Sequence, residues 1–178
     1  MLKRVKRLII FLVFIIMTMT NISYAQVKES PESPYGPILE DLKSKEFIIK
    51  NIQDIKTIRR NLTTISITQN STPEELSSTY KDLDYYIQQL NEIKRALDTN
   101  IISYKGSYSD EFFSQQVIFI AESYIISCRQ QQHLIVSLQE KKIDAQKLFY
   151  SSYLIPVYYY LNLGDQMIAY IETYFVLL

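Results

Sequence analysis

Glycine is nearly missing from this chain. Only Gly36, Gly106 and Gly164 occur in 178 residues, against an ordinary share of about 7%. Proline is as scarce, and three of its five copies (Pro31, Pro34, Pro37) crowd into one short segment. So few turn formers exclude a fold of many short elements and leave long uninterrupted helices. There is one cysteine, Cys128, so no intramolecular disulfide can form. Within a strongly helical pattern Cys128 reads as a small buried apolar residue. A single histidine, His133, excludes a His-rich metal cluster and, with Gln130 three positions before it, the Glu-x-x-His pairs of bundle metal sites. His133 is expected at the surface.

Hydrophobic residues, in contrast, make up 47% of the chain, enough for one domain with a real core. The formal net charge of zero hides an asymmetry. Lys3, Arg4, Lys6 and Arg7 precede an apolar run from Leu8 to Met17, and Ser23-Tyr24-Ala25 follows ahead of Gln26. That order is a secretory signal peptide, with cleavage expected after Ala25. The run is short of the ~20 residues that span a bilayer. Removing 1–25 leaves 15 basic against 19 acidic residues, a balance that offers no basic field to nucleic acid.

Residues 26–36, with Pro, Ser, Gly and alternating charge, read as an extended leader, and 37–178 as a helical domain. Helices are expected at about 37–68, 73–104, 110–141 and 144–178, the last kinked or broken near Pro156 and Gly164. Thr72-Pro73-Glu74-Glu75 is a helix start, and Gly106 a helix end. Residues at spacings of four and three form a stripe through Leu76, Tyr80, Leu83, Ile87, Leu90, Lys94, Leu97, Ile101 and Tyr104, in which only Lys94 interrupts the seam. The last seam runs through Tyr150, Leu154, Val157, Leu161, Ile168 and Ile171. The expected fold is all-α, an elongated antiparallel four-helix bundle in up-down-up-down order with coiled-coil-like heptad packing. A three-helix bundle with a kinked C-terminal helix is the alternative.

No nucleophile-base spacing, phosphate loop or metal motif occurs, and no cofactor is implied. What stands out is surface. From Phe149 to Gly164 there is no charged residue, and beyond Asp165 only Glu172. The expected role is therefore non-enzymatic: an exported, periplasmic or extracellular protein working through a protein partner or self-association, such as a component of an envelope or secretion assembly. Tyr159, Tyr158 and Tyr170 are the candidate contacts, since tyrosine joins apolar area to a polar tip. With Val157 and Leu161 on the seam, Tyr158 and Tyr160 are expected to flank the core and Tyr159 to point away from it. Two rival readings are a membrane-associated protein, held by an uncleaved N-terminal anchor or the apolar C-terminal region, and a small-ligand carrier. The carrier would use a cavity lined by tyrosines and the polar Ser127/Gln131 layer. Membrane contact is the less favoured.

Overall fold

In a computed structural model the described residues are 42–62 and 67–176, with side chains up to Thr173. The signal peptide and leader expected at 1–36 lie outside them. The described chain is all-helical, without strands. It comprises α1 (Lys45–Leu62), α2 (Pro73–Ser103), α3 (Tyr108–Gln139), a short α4 (Ile143–Lys147), a π-helical turn (Phe149–Tyr153) and α5 (Leu154–Val176). These helices pack against one another around α3, which touches α1, α2 and α5.

Helix ends follow local chemistry. At the start of α2 the Thr72 hydroxyl accepts from the Glu75 N–H at 3.2 Å, while the Glu75 carboxylate accepts from the Thr72 N–H at 2.8 Å, a reciprocal cap ahead of Pro73. Beyond the Tyr104 cap, Gly106 takes φ 87° in a turn closed by the Ser107 N–H on the Tyr104 carbonyl. At the end of α3, Lys141 adopts φ 54° and its N–H donates to the Leu138 carbonyl, while the Lys142 N–H reaches Ser137. This is a Schellman ending built on lysine where glycine is usual. Left-handed backbone costs an L-residue roughly 1–2 kcal/mol, partly offset by the greater unfolded-state freedom of glycine. Lys141→Gly is therefore expected to raise unfolding free energy by about 1 kcal/mol, read as a higher urea midpoint.

The last helical region differs from its expected form. Helix does not run on from 144. It stops at Leu148, passes through the π turn, where the Leu154 N–H reaches back to Phe149, and only then becomes α5. Pro156 falls in the first turn of α5, three residues beyond the π turn that interrupts the helix. Gly164 causes no break either, as α5 continues through it. The π turn shifts the seam by one residue: Phe149 is buried and Tyr150 exposed. Downstream Val157, Leu161, Ile168 and Ile171 are buried on one face, against α3.

The core also takes Leu42, Ile48, Ile52, Ile55, Ile58 and Leu62 from the first helical region and Leu76, Leu83, Ile87, Leu90, Ile93 and Leu97 from α2. Tyr80, in the regular α2 pattern, is exposed at its outer edge. In α3 the burial is two-sided. Phe113, Val117, Ile120, Tyr124, Leu134 and Leu138 are buried, and so are Ala121, Ile125, Cys128 and Ile135. A helix covered on both sides is the one the others assemble on.

Candidate functional site

Two polar arrangements, one buried and one part-buried, tie α1 to its neighbours, and the second engages α5. At one end Asp110, in the first turn of α3, is fully buried. Its carboxylate accepts from the Ser44 N–H at 2.8 Å, the Ser44 hydroxyl, the Lys43 N–H at 3.2 Å and the Ser107 hydroxyl. Asn100 of α2 donates to the hydroxyls of Ser44 and Ser114, at 2.9 and 3.0 Å. The segment entering α1 is thus pinned to the end of α2 and the start of α3. Burial pushes the Asp110 pKa up, but the hydrogen bonds from Ser107, Ser44 and Lys43 together outweigh it and hold the carboxyl below its usual value.

Toward the other end, Arg59 of α1 makes a bidentate pair with Asp165 of α5, Nε to Oδ1 at 2.8 Å and Nη2 to Oδ2 at 2.7 Å. The buried Tyr124 of α3 donates its hydroxyl to the same Oδ1 at 2.7 Å, and the guanidinium lies 5.9 Å from the Tyr124 ring centre. Burial first, and then the bond to Asp165, push the phenol pKa up and keep it a neutral donor. Lys56 pairs with Glu172 one turn along α1. Between α1 and α5 lies an open cleft of about 610 Å³, lined by Gln53, Thr57, Arg60 and Ile168 and by the Arg59–Asp165 pair. Asp54 and Asp165 line it, and Arg59 and Lys56 are paired with Asp165 and Glu172, so it is no plain anion site.

These clasps use both acids of α5. Its exposed positions are Ile155, Tyr158, Tyr159, Asn162, Gln166, Ala169, Tyr170 and Thr173. None is a Lys, Arg, His, Asp or Glu. Tyr159 is 61% exposed and Tyr170 48%. Tyr158, expected to flank the core, is 58% exposed and belongs with Tyr159, whereas Tyr160 is half-buried. The reason is that, among the described residues, α5 rests chiefly on α3, with Tyr158 on the flank away from it. Tyr159 and Tyr160 meet edge to face, with ring centres 5.2 Å apart. The structure thus brings Tyr158, Tyr159 and Tyr170 onto one uncharged surface.

Elsewhere the polar layer of α3 is packed: Ser127 and Gln131 are buried, and the Ser127 hydroxyl donates to the Val157 carbonyl at 3.0 Å. Cys128 beside them is buried and its thiol is pushed up to about 12 by burial. His133 is exposed and stacks on Tyr153 at 6.1 Å. Among the described residues no group of three His, Cys, Asp or Glu side chains could hold a metal ion. Also among them, no helix is long and apolar enough to cross a membrane. No protein-family model, curated protein or solved structure matches the chain.

The Asp110 and Arg59–Asp165–Tyr124 clusters escaped sequence reasoning. Asp110 reads as an ordinary first-turn acid suited to the helix dipole, and its partner Ser44 stands 66 residues away. Asp165 reads as a possible cap, and Arg59 as part of a solvated face. No local spacing joins them.

Proposed function

We propose that this is an exported, non-enzymatic helical-bundle protein that works by protein–protein contact through the outer face of α5. Export is inferred from the signal-peptide order of the first 25 residues. An up-down-up-down arrangement of α1, α2, α3 and α5 is supported by the cross-helix pairs. Asn100 with Ser114 and Lys94 with Glu122 run in opposite directions along α2 and α3. Tyr124 with Asp165 and His133 with Tyr153 do so between α3 and the region of α5. The spacing of three and four along each buried stripe supports heptad-like packing between them.

One observation carries the functional reading. Every charge on α5 up to Thr173 is turned onto α1, leaving a surface of tyrosine, amide and aliphatic groups. Depletion of charge with enrichment in tyrosine is the composition of an interface core. A solvated helix face would carry lysine and glutamate instead.

The test is a photo-crosslinking amino acid at position 159 in the producing cells, with Arg95 on the exposed side of α2 as control. A discrete protein adduct from 159, at least tenfold stronger than from 95, is the expected result. Equal or absent adducts at the two positions would sink the reading.

A further inference from the structure

Resting on that reading, we infer that the occupant of the α5 face is a second copy of this chain, paired antiparallel about a two-fold axis level with Gly164. The outer face has its own heptad spacing. Ile155, Tyr159, Asn162, Gln166, Ala169 and Thr173 follow one another at four, three, four, three and four. That is a second seam, opposite the buried one that contains Gly164, and it has the period at which two helices stay in contact.

The seam is self-complementary in one register. In an isologous pair, residue i meets j and j meets i. Positions equidistant from Gly164 then face each other across the axis. Asn162 faces Gln166, two amides that can exchange hydrogen bonds. Tyr159 faces Ala169, a large ring against the smallest side chain on the seam. Ile155 faces Thr173. A parallel pairing in register would instead set Tyr159 against Tyr159 and Ala169 against Ala169, crowding one layer and emptying the other.

Charge and area agree. Two identical faces meet without like-charge repulsion when neither carries a charged side chain, and this one carries none. Tyrosines bury about 150–250 Å² each, so three rings near half exposure, with the seam residues between them, offer on the order of 600 Å² per copy. Doubled, that reaches about 1,200 Å², the lower edge of a specific interface. The pairing is therefore a reversible dimer. The buried amides fix register as a seam asparagine does in coiled coils, at some cost in strength.

The test uses the protein purified from its producing cells. Sedimentation should show a monomer–dimer equilibrium, and Tyr159→Glu or Ala169→Arg should weaken it at least tenfold with the helical circular dichroism unchanged. Oxidising a mixture of Asn162→Cys and Gln166→Cys chains should give a mixed disulfide dimer at least five times more abundant than from either chain alone. Native Cys128 is buried and does not compete. A dimer cross-linked from Asn162→Cys chains alone overturns the register. A chain that stays monomeric, while position 159 photo-crosslinks to a different protein or the chain co-sediments with vesicles, overturns self-pairing. A crosslink from position 159 to a different protein leaves the docking reading standing, vesicle binding does not, and absence of any adduct ends both.

Discussion

Gly164→Ala is expected to lower the unfolding free energy by about 2–3 kcal/mol, although the same exchange in an open helix gains about 1 kcal/mol. The sign reverses because of Tyr124. A Cβ placed at 164 would sit 2.4 Å from Cε1 and 2.7 Å from Cζ of that ring. The ring cannot step aside. It is fully buried, and its hydroxyl is held by Asp165, the residue next to the glycine. Either α5 lifts from α3, or the Tyr124–Asp165–Arg59 cluster breaks. Urea titration of the single variant, and of the same change in a Tyr124→Leu background, checks the mechanism. In the smaller background the penalty should fall by more than half, a coupling of the kind adjacent groups display. An unchanged penalty there would place the strain elsewhere.

Asp110→Ala is expected to cost about 3–4 kcal/mol, since it strands the donors of Ser44, Lys43 and Ser107 and empties a buried site. Asp110→Asn keeps one acceptor oxygen and should cost roughly half as much. The pH dependence separates the two contributions. The folded-state pKa is depressed, so the stability this group supplies is present above the unfolded value of about 3.9 and drains away as pH falls through the lower folded value. Wild-type protein should therefore lose stability on acidification below about pH 4 more steeply than Asp110→Asn, in parallel denaturant titrations at pH 7, 4 and 3. Parallel losses would mean that the carboxylate is not the acid-sensitive element.

What could be read from sequence was whatever repeats locally. The stripe Leu83, Ile87, Leu90 and Leu97 is buried as its spacing indicates, and Thr72-Pro73-Glu75 caps α2 with its own side chains. Helix ends set by unusual backbone were harder. Nothing marks Lys141 as a left-handed residue, because lysine rarely takes that role. The region after it deceived for another reason. Pro156 and Gly164 look alike as helix breakers in isolation, yet the interruption is the π turn just before the proline, and the glycine makes room for a ring 40 residues earlier. Both depend on a neighbour that spacing cannot reveal. The triple tyrosine was half legible. Its heptad phase sets Tyr159 outward, but Tyr158 joined it because, among the described residues, α5 rests chiefly on α3.

The ties that hold α1 also bear on how the chain reaches this arrangement. α2 and α3 can meet across a four-residue connection, 104–107, and closing so short a loop costs little time. The Ser44–Asp110 and Arg59–Asp165 contacts span 66 and 106 residues, and loop-closure entropy rises with the logarithm of that separation. Their reward comes only once α3 and α5 are already formed to receive them. The orientation of α1 is thus expected to be fixed late in folding, with the polar contacts at its two ends contributing beside its apolar stripe.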